Sequence, residues 1–223
     1  MAVIDVIKAR AKATKKHVLL PEGSEQRTLK ASETIVREGL ANVTLLGNEQ
    51  TIRENAKNLG VNLSGVNIID PEVHPNLQDY SQQFYEMRKA KGLELEAAQK
   101  QMKNPLFFAC MHIKNGFADG MVAGAINTTG NTLRPGLQII KTAKNANTVS
   151  GCFIIEVPNC EYGENGVFLF ADCAITPDPT DEQLAAIAIS SAQTAKSLLG
   201  IDAKIAMLLF STKGSAKHDN VVK

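Results

Sequence analysis

The 223-residue sequence has no tryptophan, and aromatic residues make up only 5% of it. It has no basic run and no aromatic stripe interleaved with cations, and 24 Lys and Arg stand against 23 Asp and Glu. A nucleic-acid surface has little to be built from. No apolar segment approaches membrane-spanning length. Cysteines 110, 152, 160 and 173 include no C-x-x-C pair, and histidines 17, 74, 112 and 218 are scattered, which argues against zinc and against any bound metal. Walker A and G-x-G-x-x-G sequences are absent, so the standard nucleotide fingerprints are excluded. There is no Ser-His-Asp set and no carboxylate pair. Repeats, low-complexity tracts and Gly/Ser linkers are missing as well. Met1 to Lys16 is basic and amphipathic, but it carries an early Asp5 and lacks both a long apolar stretch and a small-residue cleavage site, so it reads as a first helix. Cys110 and Cys152 lie in apolar runs and read as buried reduced thiols, which points to the cytosol.

What is present is a hydrophobic content of 44%, enough for a sizeable core. Ile4, Ile7 and Ala11 recur at helical spacing, and His17 to Pro21 reads as a short strand. A helix to about Glu38 follows, then a strand at Asn42 to Gly47. Asn48 is placed to cap a helix ending at Gly60, and Val66 to Ile69 gives a third strand. This β-α-β-α order predicts parallel strands with helical crossovers on both faces. Helices are expected over Asn76–Ala90 and Leu93–Met102, and another opened by Asn104-Pro105 with Phe107, Phe108 and Met111 facing the core.

Met121 to Ile126 reads as a buried parallel strand, followed by the loop Asn127-Thr-Thr-Gly-Asn-Thr132 and a helix that begins near Arg134 and runs to about Lys144. That loop offers amides, hydroxyls and main-chain N–H groups. A cation beside the positive end of a helix sits well there only with an anion between them, so the loop reads as an oxyanion site, with Asn131 among its donors. Lys144 to Thr148 is polar, and a domain boundary is expected there, giving domains 1–149 and 150–223. Strands at Gly151–Val157 and Val167–Ala171 should pair antiparallel around the turn Gly163–Gly166. Thr180 and Gln183 form a capping box for a helix to Leu199. Lys204 to Phe210 is expected as a strand, and Ser211-Thr-Lys-Gly-Ser215 leads into a last helix, repeating the strand, hydroxyl-rich loop and cation of the first loop. Val221 to Lys223 supply no helix stop, so the chain reads as truncated. Arg88 by itself reads as part of a solvated basic helix end, and Asp119 and Asp172 as structural carboxylates at strand ends.

Six blocks in order resemble the phosphate acetyl/butyryl transferase family over the whole chain: Leu20-Pro-Glu-Gly23 with Arg27, Tyr85 to Gly92, Asp119 to Gln138, Gly163 to Asp172, Pro177-Asp-Pro-Thr180, and Phe210 to Ala216. The resemblance implies a three-layer α/β/α fold of the isocitrate/isopropylmalate dehydrogenase-like type. It implies two domains, an inter-domain cleft holding the active site, and a second domain that is incomplete here. It implies reversible conversion of acetyl-CoA plus phosphate into acetyl phosphate plus CoA, by attack of the CoA thiolate on the acetyl phosphate carbonyl. No bound cofactor is expected, coenzyme A is a substrate, and the complete protein is expected to be a homodimer. By the same carry-over Arg134 is the catalytic, substrate-binding arginine and Arg88 a second one. Thr128 and Thr129 lie in the substrate loop, and Ser211, Thr212 and Lys213 in a second loop. The Ser-Arg pair and the aspartate that serves as base in the family belong to a later block with no counterpart in residues 1 to 223, so the chain alone is expected to turn over little and to expose apolar surface. Butyryl in place of acetyl specificity stays open, as does a regulatory acyl-CoA-sensing domain of the kind attached to larger malic enzymes.

Overall fold

The computed structural model describes residues 2–143, 148–208 and 210–222. The chain divides into two compact units, Lys8–Lys141 and Met1–Ile7 with Thr142–Lys223. The first helix, α1 (Val3–Thr14), runs from one into the other.

In the unit Lys8–Lys141 the strands β1 (His17–Leu20), β2 (Asn42–Leu46), β3 (Val66–Ile69) and β4 (Gly120–Met121) form a parallel sheet in the order β3-β2-β1-β4. Leu20 lies opposite Leu45, and Leu45 opposite Ile68. Side chains of a strand alternate between the two faces, and the core divides accordingly. Leu19 and Leu46 enter a cluster with Tyr80, Phe84, Phe108 and Met111, whereas Leu20, Val43 and Leu45 pack with Leu29, Ile52 and Ala56. The helices follow from the strand order. The two steps β1 to β2 to β3 go the same way, so right-handed crossovers place α2 (Gln26–Arg37) and α3 (Glu49–Leu59) on one face. The return past β1 to β4 carries α4 (Leu77–Arg88), α5 (Leu95–Met102) and α6 (Pro105–Lys114) on the other. The neighbours β1 and β4 therefore form the switch point of the sheet, beyond whose carboxyl ends open α/β sheets take their ligands.

The caps expected from local chemistry are in place. Asn48 Oδ1 accepts from Thr51 N–H at 3.1 Å, Gly60 ends α3 at φ 66°, and Asn104 Oδ1 accepts from Leu106 N–H at 2.9 Å. Phe108 and Met111 are fully buried, and Phe107 is partly buried against the same cluster.

Beside Phe108 the buried His112 shares a hydrogen bond of 3.0 Å between Nδ1 and the Tyr80 hydroxyl, and it stacks on Phe108 and Phe117 at centroid distances of 5.6 and 5.0 Å. Burial, then repulsion from His74 and His17, pushes its pKa down to about 4. An unfolded imidazole titrates near 6.5, so on acidification the unfolded chain takes up this proton first. The contribution is complete above about pH 6.5 and is lost as the pH falls towards 4. Urea unfolding should show a lower midpoint at pH 5 than at pH 7, and His112→Phe should flatten the difference. His74, also shifted down by burial, leaves a residual slope. Equal midpoints in the wild-type chain would refute this.

In the other unit β5 (Cys152–Glu156) and β6 (Val167–Ala171) pair antiparallel from Cys152↔Ala171 to Glu156↔Val167, as expected. Gly166 adopts φ 85° at the turn, where an added Cβ would lie 2.2 Å from the Val157 carbonyl oxygen. α8 (Asp181–Thr194) opens with the Thr180–Gln183 capping box, continues as a π-helix to Leu199, and stops at Gly200 with φ 75°. A four-residue helix, α9 (Asp219–Val222), follows the last loop.

Three expectations fail here. The strand expected over Lys204–Phe210 is irregular throughout Lys204–Leu208, and position 209 lies outside the described residues. A strand exists by its ladder with a neighbour, and none of the described residues pairs with it; Leu208 is 95% exposed. The apolar run Val167–Ala171, which reads as a buried strand, is only half-covered as β6, because one hairpin alone offers its faces little to pack on. Cys152, at the outer end of β5, is exposed, while Cys110 is buried and its thiol pushed up to about 12 by burial. The helix expected to run to about Lys144 ends earlier, at Ile140, where Lys141 adopts φ 69°, and most of the polar segment after it lies outside the described residues.

Candidate active site

Beyond β4 the chain departs from expectation in an informative way. The strand expected over Met121–Ile126 ends at Met121, and only Val122 N–H still donates to the sheet, to Leu19 C=O at 3.0 Å. Val122 and Ile126 are 65% and 68% exposed. The following N–H groups turn to a carboxylate. Glu22, two residues past the end of β1, is 6% exposed and reaches into this loop. Its Oε2 accepts from Gly124 N–H at 2.9 Å and Ala125 N–H at 2.7 Å. Its Oε1 accepts from Ile126 N–H at 2.9 Å, Asn127 N–H at 2.8 Å and the Asn127 side-chain amide at 2.9 Å. A charge-assisted set of this kind outcompetes two more rungs of an edge ladder. Burial pushes the Glu22 carboxyl up, but the hydrogen bonds from Ile126, Asn127 and Ala125 outweigh it and hold the pKa at about 2. The N–H groups that hold an anion here are those of residues 124–127, on the strand side of the expected loop, and the anion is the chain's own carboxylate.

Arg27 completes the arrangement. Its Nη2 donates to Ala125 C=O, and its Nε donates to Glu25 Oε1 at 2.8 Å. Glu25 in turn caps α2 by accepting from Thr28 N–H at 2.9 Å. The turn between β1 and α2 is pinned to β2 by Gly23 N–H on Leu46 C=O at 3.1 Å.

The helix after the loop, α7 (Thr129–Pro135), is capped by Thr128, whose hydroxyl accepts from Asn131 N–H at 3.3 Å. It continues as a π-helix over Gly136–Ile140, where Lys141 N–H reaches back to Gly136 C=O. Arg134 therefore lies in the last turn of α7 and not at a helix start, because the cap forms one turn earlier than the apolar spacing suggested. The guanidinium therefore does not face the positive end of a helix. What remains is an exposed guanidinium with no ion pair among the described residues. Thr128, Thr129 and Asn131 are exposed at the capped first turn of the same helix. Arg88 ends α4, half-buried and also without an ion pair among the described residues.

Described by itself, the loop of the second unit has Thr212 C=O accepting from Ser215 N–H at 2.9 Å and Ser215 Oγ–H at 2.7 Å. Ser211 is half-buried, and Thr212 and Lys213 are exposed. The loop does not follow a buried strand, so its expected likeness to the first loop reduces to composition.

Asp119 and Asp172 hold main chain, as expected of structural carboxylates. Asp119 accepts from His17 N–H and the Lys16 ammonium at 2.8 Å each, and Asp172 from Gly151, Ala174, Ile175 and Thr176 N–H. No cluster of three or more His, Cys, Asp or Glu suited to a metal is found among the described residues, and no helix among them is long and apolar enough to cross a membrane.

Residues 2–223 match the family model described as phosphate acetyl/butaryl transferase. The chain belongs to this family. It is 52% identical over 223 residues to a phosphate acetyltransferase of Thermoanaerobacterium thermosaccharolyticum and 49% identical over 223 residues to one of Clostridium acetobutylicum, covering 100% of this chain and 67% of each relative. Among solved structures, a phosphotransacetylase of Streptococcus pyogenes aligns at a TM-score of 0.88 with 37% identity, covering 98% of this chain and 66% of that one. EutD phosphotransacetylase of Staphylococcus aureus aligns at 0.85 with 36% identity, covering 99% and 64%. The chain thus spans about two thirds of the length of these family members. Glu22 and Arg27 received no site role from the sequence. The signal was present, since Glu22 sits in the Leu20-Pro-Glu-Gly23 block, but nothing local reveals a partner about one hundred residues away.

Proposed function

We propose that the chain carries the substrate-holding part of a phosphate acetyltransferase, interconverting acetyl-CoA plus phosphate and acetyl phosphate plus CoA. The observation that carries the reading is Arg134. It is an exposed guanidinium with no ion pair among the described residues, in the last turn of the helix that Thr128 caps after β4, in a chain of this family. A guanidinium matches two phosphate oxygens in one plane. Thr128, Thr129 and Asn131 supply neutral donors, and Arg88 a second cation. Ser211, Thr212 and Lys213 are assigned to substrate as well. In the reaction the CoA thiolate attacks the acetyl carbonyl carbon, the C–S bond forms, and the bond between that carbon and the bridging oxygen breaks, so that phosphate leaves with the oxygen and its electron pair. Fixed donors and a cation stabilise both the carbonyl oxyanion and the departing phosphate. We assign no residue of this chain as the base for the thiol proton. Coenzyme A enters as a substrate, and no resident cofactor or metal takes part. The reading includes the α/β/α arrangement of the isocitrate/isopropylmalate dehydrogenase-like type, with a homodimer as the assembled form.

The test is the affinity of the 223-residue chain for acetyl phosphate, measured by calorimetry. Arg134→Ala should weaken it about tenfold or more, since a charge-assisted contact of about 1.5–3 kcal/mol is lost. An unchanged affinity would return Arg134 to a solvated surface cation.

A further inference from the structure

The loop 122–127 is held in an unusual way. Its apolar side chains Val122 and Ile126 point to solvent, so burial does not fix it, and after Val122 it makes no ladder bond. Two side chains from the β1–α2 turn hold it instead. Glu22 gathers the N–H groups of four consecutive residues and one side-chain amide, and Arg27 takes the Ala125 carbonyl. A carboxylate has about four lone-pair sites, all acceptors, so this set saturates it. No neutral side chain of that size can replace it, because a glutamine amide would turn its NH2 donors against N–H donors. Thr128, which starts α7, is the next residue along the chain after the last one held.

We propose that Glu22 is the positioning residue of the substrate loop: by gathering the N–H groups of Gly124, Ala125, Ile126 and Asn127 it fixes where Thr128 caps α7, and thereby where Arg134 stands. Arg27 supports it by holding the Ala125 peptide through its oxygen. Glu22 itself touches no substrate, since both its oxygens are occupied. The inference rests on the reading of Arg134 as a substrate-holding group. It separates two tasks that one loop performs, an inner stretch spent on the clamp and an outer turn left free for ligand.

The test compares the 15N-labelled wild-type chain with Glu22→Gln at neutral pH, reading amide exchange and acetyl phosphate affinity together. Expected for Glu22→Gln are faster exchange at Gly124–Asn127, unchanged protection of β2, and an affinity for acetyl phosphate reduced about tenfold, as for loss of a contact to a charged group. Slow exchange retained at Gly124–Asn127 would overturn the proposal, and so would fast exchange there with wild-type affinity. If Glu22→Gln also loses protection in β2, Asn127→Ala decides, because it removes one donor and leaves the carboxylate otherwise paired. Faster exchange at Gly124–Ile126 with weaker binding supports the proposal, and no change in either overturns it. A wild-type chain that shows protected loop amides but binds no acetyl phosphate would overturn the substrate reading separately. The clamp is then judged on exchange alone: protection lost in Glu22→Gln upholds it, and protection kept overturns it.

Discussion

Phe108→Ala lowers the unfolding free energy of the unit Lys8–Lys141 by about 3–5 kcal/mol, read as a fall in the urea midpoint at unchanged slope. Phe108 is fully buried on the α6 side of the sheet. Its ring lies 5.3 Å from Tyr80, 5.0 Å from His74 and 5.6 Å from His112, centroid to centroid. Alanine removes most of the atoms that three rings rest on, and their positions on α4, α6 and the segment between β3 and α4 leave little freedom to close the gap. The adjacent Phe107 provides the contrast. It meets Phe84 at 5.6 Å but is only partly buried, so Phe107→Ala should cost clearly less. Equal losses at the two positions would show that the cluster is not organised around Phe108.

Gly23→Ala is expected to destabilise the chain by about 1–3 kcal/mol and to loosen the loop 124–127 at the same time. A Cβ at this position would lie 2.6 Å from the Leu46 carbonyl oxygen, 3.0 Å from Ile52 Cδ1 and 3.1 Å from Leu45 Cβ. The first of these is main chain of β2, held by strands on both sides, and cannot retreat. The turn must therefore give way, and Glu22 moves with it. The measurements are the urea midpoint and amide exchange at Gly124–Asn127, with Gly130→Ala as the control. A Cβ at Gly130 meets nothing within 4 Å, and alanine suits its place in α7, so stability there should hold or rise slightly. A Gly23→Ala chain with wild-type stability and exchange would mean that β2 yields after all.

The features that the sequence made legible are those decided within a few residues or repeated along the chain. Asn48, Asn104 and Thr180 each cap their helix because donor and acceptor are two or three positions apart. The alternation of short apolar runs with amphipathic helices predicts a parallel sheet, and the sheet forms in that way. The six ordered blocks were enough to indicate the family. Tertiary structure decided the rest. The stretch Met121–Ile126 is as apolar as a buried strand, yet it leaves the sheet at Met121 because a carboxylate 102 residues earlier in the chain offers its N–H groups a stronger acceptor. Lys204–Leu208 has the composition of a strand and no strand to pair with among the described residues. Arg134 reads locally as a helix start and lies in a last turn, since Thr128 caps first. Propensity and periodicity act over a turn of chain, whereas a ladder partner or a buried carboxylate is supplied from anywhere in the sequence, and only folding brings it into place.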